Sequence, residues 1–388
     1  MKRVIVMILC FFLIPVTSLF TSEEGQIYLQ SIRIEGNRVT KERYIRNLIT
    51  LDEDRSYEFD EIIDQINRSR ENLELTGLFS NVFFNDELDD QNNLVLTVQL
   101  KERNYFFFGP SGYLGYEGGE FYSVVSLYAD YTNLFGNASR LLVEVPFYRD
   151  YGIIARFKGG SDSVQYMVGI DARYDNYFDE NVQKFVVGLG YGFSERFLLG
   201  TNIHVSRESP RTLEDHTLST VFLPYLRFGY AQRLSMKQKS WYSLYLAPYL
   251  GINHDSVDGS EFYGIDSRLS LNWDVFLKIV FSLNVYASYQ DGDVPNDYII
   301  QSNIRGTYYD VYRGSYLFSV TSEFDFPWPW NNSIHLVPFL DYGMIGDSEV
   351  TFLLGGGLGL HWYTKYQNPL VLELAYGKGV MLNLTKRF

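Results

Sequence analysis

The sequence predicts a transmembrane β-barrel of sixteen antiparallel strands preceded by one small α+β domain, and three observations carry that expectation. From Asn104 onward, segments alternating apolar and polar residues at period two follow one another, and helical periodicity disappears. The composition is rich in Tyr (32), Phe (29) and Gly (32) without long apolar runs, as expected of strands that face lipid on one side and a wet lumen on the other. Residues 26–103, in contrast, carry two helical patterns between strand-like runs.

The chain opens with Lys2-Arg3 and the apolar run Val4–Val16, followed by Thr17 and Ser18. This reads as a secretory signal peptide over 1–22, cleaved near Ser18 to Ser22. The alternative is a retained anchor, for which the run is short. The single cysteine, Cys10, lies inside that run, so the exported chain is expected to be free of disulfides, as suits a bacterial envelope protein held by sheet hydrogen bonds.

In the 26–103 region, Ile27–Ile34 alternates as a strand and Gly36-Asn37 closes it. Thr40 is positioned to cap a helix reaching Leu48, with Tyr44, Ile45 and Leu48 on one face. A second helix over 59–75 places Phe59, Ile62, Ile63, Ile66 and Leu73 at helical spacing, with Gly77 as its stop. Strands Val82-Phe83-Phe84 and Leu94–Val98 complete a β-α-α-β-β order. That order, with the phrases Ile32-Arg33-Ile34-Glu35-Gly36-Asn37 and Gly77-Leu78-Phe79-Ser80-Asn81-Val82, resembles a POTRA domain.

Barrel strands are predicted at 104–116, 120–132, 137–148, 151–160, 163–174, 181–194, 196–207, 217–231, 239–252, 260–273, 276–289, 314–326, 332–343, 351–363, 369–376 and 379–388. Each is about long enough to cross a bilayer when tilted. With both ends on the periplasmic side, short connections such as 133–136 lie inside and long ones such as 207–216 and 290–313 outside. Phe326-Pro327-Trp328-Pro329-Trp330 then falls at the periplasmic interface, where tryptophans gather.

The connection 290–313 is too long for a hairpin and carries Asn303-Ile304-Arg305-Gly306-Thr307-Tyr308. Arg-Gly at its tip combines a tight backbone turn with a long cation. In strand twelve, Glu323 shares its phase with Leu317, Ser319, Thr321 and Asp325, toward the lumen. In strand thirteen, His335, Phe339 and Asp341 face inward and Ile334, Leu336 and Leu340 outward. A sixteen-stranded lumen is too wide for side chains to fill, so a loop folded into it would deliver Arg305 to Glu323 and Asp341.

One POTRA-like domain, sixteen strands, an Ile-Arg-Gly in the sixth outer loop and a terminal Phe388 together resemble the BamA/TamA superfamily of outer-membrane assembly proteins and translocators. The resemblance spans essentially the whole exported chain. The superfamily's Val/Ile-Arg-Gly-Phe/Tyr motif maps onto Ile304, Arg305 and Gly306, and its inward carboxylates onto Glu323 and Asp341. Thr307 stands where the superfamily has an aromatic, so that packing contact is expected to be either absent or moved to Tyr308. A single POTRA domain is a second departure, because the assembly machine's central protein carries several.

Strand one contains Gly109, Pro110 and Gly112, and proline removes a ladder donor. Strand sixteen is short, with Leu382 and Leu384 outward and Phe388 at its end. The pair is expected to form a weakly zipped lateral seam with fewer closing hydrogen bonds than any other joint, where a nascent strand pairs by β-augmentation. In the POTRA-like domain, Asn81, Val82, Phe83, Phe84 and Asn85 mark the edge expected to receive an unfolded client.

Other patterns point away from chemistry. A net charge of −14 argues against nucleic acid. The five histidines lack metal-ligand spacing, Gly188–Gly192 and Gly355–Gly359 lie inside strands, and Asp291, Asp293 and Asp297 lack the glutamate of a calcium loop. No nucleophile stands in an elbow context, so neither an enzyme nor a cofactor is expected. The resemblance implies insertion or translocation of unfolded outer-membrane or secreted clients, with outer-membrane lipids, periplasmic chaperones or accessory lipoproteins as further partners. Alternatives are a secretion pore for one dedicated partner, and a passive porin or surface receptor with a periplasmic tether.

Overall fold

The computed structural model describes residues 26–386 apart from 90–92, 149, 161–163, 176–179, 195–196, 211–216, 230–239, 255–258, 277–278, 308–311 and 364–369. The predicted signal segment, Tyr308 and Phe388 lie outside the described residues.

The amino-terminal unit runs β1 (Ile27–Glu35), α1 (Glu42–Leu48), β2 (Arg55–Tyr57), α2 (Phe59–Leu75), β3 (Phe79–Leu88) and β4 (Leu94–Glu102). Its sheet has the order β2-β1-β4-β3, with β1 and β4 parallel. Leu29, Ile32, Ile45, Leu73, Leu96 and Val98 form one buried core between helices and sheet. Strand β2 is absent from the β-α-α-β-β expectation. Its three residues, paired with Ile27–Leu29, are too short to show alternation, and Tyr57 alone turns into the core. Two further expectations fail here. Thr40 does not cap α1, whose N-cap is Lys41 without a side-chain bond. Phe59 and Ile63 remain exposed, because only Ile62, Ile66 and Leu73 face the sheet.

The sixteen barrel strands are β5 (Phe106–Glu117), β6 (Glu120–Thr132), β7 (Arg140–Tyr148), β8 (Tyr151–Gly160), β9 (Val164–Asp175), β10 (Glu180–Ser194), β11 (Phe197–Pro210), β12 (Thr217–Gly229), β13 (Ser240–Asn253), β14 (Ser260–Phe276), β15 (Ile279–Gly292), β18 (Tyr316–Trp328), β19 (Asn331–Gly346), β20 (Val350–Trp362), β21 (Leu370–Tyr376) and β22 (Val380–Lys386). Two short strands, β16 (Ile300–Gln301) and β17 (Arg313–Gly314), lie in the loop between β15 and β18. Every barrel strand is antiparallel to its neighbours, and β22 closes on β5. Closure removes the open edges that lipid would leave without hydrogen-bond partners.

Alternation decides which residues meet lipid. In β21, Leu372 and Leu374 are exposed on the outside, while Val371, Glu373 and Ala375 are buried on the inside. A belt of aromatic rings joins the periplasmic strand ends: Trp273 stacks on Phe281 at 5.7 Å, and Phe281 meets Phe324 at 4.8 Å. Trp328 and Trp330 sit at the adjoining turn, as interfacial anchoring requires. Among the described residues no helix is long and apolar enough to cross a membrane.

The turn 133–139, between β6 and β7, touches the 39–41 segment of the amino-terminal unit. That contact fixes one rim of the barrel as periplasmic and puts the 293–315 loop at the other. Outer connections are not uniformly long. Gly118-Gly119 and 347–349 are tight turns. Antiparallel neighbours in register need only a two-residue turn, and the loop that folds inward is by far the longest of the outer connections.

Candidate functional site

The loop enters the barrel rather than standing above it. Strands β16 and β17 pair as its neck, and Ile300 and Ile304 join Leu317, Ile345 and Leu353 in a small buried cluster against the wall. At the tip, the Thr307 hydroxyl donates to the Ile304 carbonyl at 2.6 Å. The Ile304 N–H donates to Ser302 Oγ at 3.2 Å. Thr307 is buried and braces the turn from within, which is what this chain has in place of an aromatic at that position.

Two glycines permit the close approach. Gly306 has φ +81°, and a Cβ there would stand 2.6 Å from the Gly377 nitrogen. A Cβ on Gly355 of β20 would stand 1.9 Å from the Arg305 carbonyl oxygen. Part of the Gly355–Gly359 run is therefore a groove in the wall that receives the loop backbone.

Arg305 reaches three carboxylates on three strands. Its Nε and Nη2 donate to Asp341 Oδ2 and Oδ1, both at 2.7 Å, in a bidentate fork. Its backbone N–H adds a third bond to Asp341 at 3.1 Å. Nη1 donates to Glu323 at 2.8 Å and to Glu373 at 3.0 Å. The guanidinium also lies over the Phe339 ring, 3.4 Å from its centroid. Burial opposes the Arg305 charge, but the hydrogen bonds to Asp341 and the fields of Glu323, Asp341 and Glu373 outweigh it and hold its pKa above the ordinary value. Ile304, Arg305, Gly306, Glu323 and Asp341 are thus brought together as expected from sequence. Glu373 and the stacking on Phe339 are additions.

The start of the loop is pinned to the opposite wall. Asp297 pairs with Lys184 of β10 at 2.7 Å and with Arg173 of β9 at 3.2 Å. Its backbone N–H donates to Glu208 of β11. Tyr298 beside it lies under the Lys184 ammonium at 4.1 Å. Asp291 and Asp293 accept instead from Tyr263 and Ser260, so the three aspartates serve separate contacts. Held by β9–β11 at one end and by β18, β19 and β21 at the other, the loop crosses the lumen.

The same loop also touches both sides of the closing joint. The Gly379 N–H, in the turn between β21 and β22, donates to the Gly306 carbonyl at 3.0 Å. The Tyr312 hydroxyl donates to Glu117, at the outer end of β5, at 2.6 Å. Among the described residues the β22–β5 ladder covers Val380–Leu384 against Tyr116–Gly112. Leu382 and Leu384 therefore lie within it and face Leu114 and Gly112. Gly109 and Pro110 lie beyond it, in the periplasmic half of β5, which is paired to β6 alone among the described residues. The expectation that this joint is the least zipped of all needs correction. The β7–β8 ladder is equally short, running from Arg140 opposite Lys158 to Glu144 opposite Ile154, and Pro146, which has no N–H, stands just past its end.

On the periplasmic side, Asn81–Asn85 lie on β3, the outermost strand of its sheet. Val82 points into the core, whereas Phe83 is exposed. The junction with the barrel is a buried polar network. Asn133 Nδ2 donates to the Thr40 hydroxyl at 2.9 Å, which lies 3.0 Å from the Tyr105 hydroxyl. The Lys41 N–H donates to Gly136 at 2.8 Å. Glu102 accepts from the Thr40 and Val39 N–H groups and holds that segment in place.

The residues that sequence reasoning missed carried usable signals. Glu373 is a lone carboxylate in the apolar strand Leu370–Tyr376, and an ionisable group there must face inward and find a partner. Asp297 offered no such signal, because its partners lie on strands remote in sequence.

Residues 27–103 match the POTRA family model, described as a surface antigen variable number repeat. A segment of 121 residues is 33% identical to the outer membrane protein assembly factor BamA of Neorickettsia risticii (strain Illinois), covering 30% of this chain and 15% of that protein. The fold is similar to BamA from Haemophilus ducreyi lacking POTRA domains 1–3, with TM-score 0.54 and 14% identity over 93% of this chain and 83% of that one. It is similar also to CdiB from Acinetobacter baumannii, with TM-score 0.62 and 14% identity over 92% and 74%. The chain is a POTRA domain joined to a closed sixteen-stranded antiparallel barrel, a fold it shares with BamA and CdiB. The barrel lies in the outer membrane and the POTRA domain in the periplasm.

Proposed function

We propose that this protein inserts or translocates other proteins at the outer membrane through the lateral joint between β5 and β22, without chemical catalysis. The observation that carries the reading is the loop anchored on both walls. A lumen crossed by a chain fixed through Asp297 and Arg305 is a poor open channel, which weighs against a passive porin. The joint beside it is closed by a short ladder in which each backbone bond contributes only about 0.5–1.5 kcal/mol net in water, and more in lipid. Five opposed residue pairs can separate at far lower cost than unfolding the barrel.

In this reading β3 offers its free edge, Asn81–Asn85, to an unfolded client by strand addition, and the client passes to the joint. Outer-membrane lipids, and chaperones or accessory lipoproteins in the periplasm, are its further partners. A second reading, export of one dedicated partner through the lumen, is favoured by the cavity of about 1480 Å³ beneath the loop. Depletion followed by an inventory of outer-membrane and secreted proteins separates the two. Broad loss of barrel proteins supports lateral assembly and loss of one secreted protein supports dedicated export. A change in solute permeability alone contradicts both.

A further inference from the structure

We propose that the periplasmic half of the lumen is a binding site for an acidic, extended polypeptide segment, held by Arg156, Lys158, Arg227 and Arg268. The proposal deepens the reading of the protein as a handler of unfolded clients and rests on it. These four cations line one cavity, which is bounded by Arg305 and Glu323 near the loop and by Tyr44, Asn47 and Leu48 of the POTRA helix α1 at its mouth. A segment leaving the POTRA domain for the barrel therefore meets this surface first.

Among the described residues, none of the four forms an ion pair or a hydrogen bond with a protein carboxylate. Arg227 Nε is buried with no partner, and Arg268 touches only the face of the Tyr286 ring, 5.7 Å from its centroid. The charges acting on the Lys158 ammonium are those of Arg140, Arg156 and Arg227, all of its own sign. Arg140 is itself taken by Asp130, at 2.8 Å.

The lumenal carboxylates are engaged elsewhere. Asp297 serves Arg173 and Lys184, and Glu323, Asp341 and Glu373 serve Arg305. Asp266, which shares the cavity, accepts from Tyr286 and Ser288. Asp171 is close enough to feel Arg156 but lies against Arg173 at 3.3 Å. A protein of net charge −14 thus keeps four cations that no carboxylate pairs around one cavity, against the single charge of Asp266 beside Arg268, and such a field concentrates anions.

The arrangement selects the kind of anion. The cations stand on three strands, β8, β12 and β14, with Arg156 and Arg227 within electrostatic reach of Lys158 and Arg268 farther along the same cavity wall. Between them Tyr225, Tyr245, Asn202 and Asn284 offer donors and acceptors suited to peptide amides. A row of carboxylates along an extended backbone satisfies both sets of groups.

The test is fluorescence anisotropy with the purified full-length protein in detergent. The probes are labelled peptides of alternating Glu and Ser, the same peptides with Lys for Glu, and inorganic polyphosphate as competitor. The acidic peptide is expected to bind and the basic one not to, with affinity falling as salt rises. The triple variant Lys158→Gln, Arg227→Gln, Arg268→Gln is expected to weaken binding about tenfold or more. The charge-preserving variant Lys158→Arg, Arg227→Lys should retain it, which guards against a folding defect. Equal binding by the triple variant, no binding of the acidic peptide, or binding of polyphosphate alone would each overturn the proposal. None of these outcomes bears on the depletion inventory, so the two readings fail separately.

Discussion

Among the described residues two joints of this barrel have ladders of the same length, and they differ in what else holds them. The β22–β5 ladder spans Val380–Leu384, and the β7–β8 ladder spans Arg140–Glu144. Each stops two residues short of a proline, Pro110 in one case and Pro146 in the other. At β7–β8, however, the strands are tied covalently through residues 149–150 at the outer rim, and the POTRA domain docks on the 133–139 turn at the inner one. At β22–β5 no chain connects the strands. The outer end is held by Gly306 against Gly379 and by Tyr312 against Glu117, both from the lumenal loop. Ladder length therefore does not define a gate. In the proposed mechanism, covalent continuity keeps one short joint static and a non-covalent clasp leaves the other releasable.

The largest effect on this contrast is expected from Arg305→Ala. It removes the guanidinium that Glu323, Asp341 and Glu373 share, and breaking a buried ion pair costs about 3–5 kcal/mol. The barrel should still fold, but the 293–315 loop should become sensitive to external protease and client handling should fall. Arg305→Lys should rescue only in part, because an ammonium cannot form the fork to Asp341. Wild-type protease resistance in Arg305→Ala would sink this prediction. A smaller effect, about 1.5–3 kcal/mol, is expected from Tyr312→Phe, which deletes one bond to a charged partner at the rim. Hydrogen exchange should rise in Val380–Leu384 and stay unchanged in β7–β8. Equal change in both ladders would mean that the loop does not act on the joint selectively.

The smallest effect concerns the static side. Burial raises the pKa of Glu102, but the bonds it accepts from Thr40, Val39 and Arg38 outweigh this and leave it below the ordinary carboxylate range. A depressed folded-state pKa contributes stability that is full above the unfolded value of about 4.3 and is lost as pH falls through the folded one. Limited proteolysis at the POTRA–barrel link should therefore accelerate only in acid for the native protein. In Glu102→Gln it should be faster at neutral pH and show no acid step from this group.

Much of the architecture was legible because alternation reports which face of a strand a residue occupies. Sixteen strands, the inward phase of Glu323 and Asp341, and the loop carrying Arg305 all follow from period two. Alternation does not report where around the barrel a strand stands or how high a residue sits on the wall. For that reason Asp297 on Lys184 and Tyr312 on Glu117 were out of reach, since those contacts depend on closure and stagger. Thr40 misled for a related reason. A threonine ahead of a helix reads as a cap, and here its hydroxyl is engaged by Asn133 across the junction.

The central claim is that the β22–β5 joint opens while the equally short β7–β8 joint does not. The chain's one cysteine, Cys10, lies in the amino-terminal apolar run, so introduced pairs report with little background. Tyr113→Cys with Asn383→Cys spans the closing ladder, and Val143→Cys with Ala155→Cys spans the control, since each pair is directly opposed. Oxidation of the first pair should stop client insertion or export, and reductant should restore it, while oxidation of the second should change nothing. Full activity with the closing joint completely locked would contradict the account.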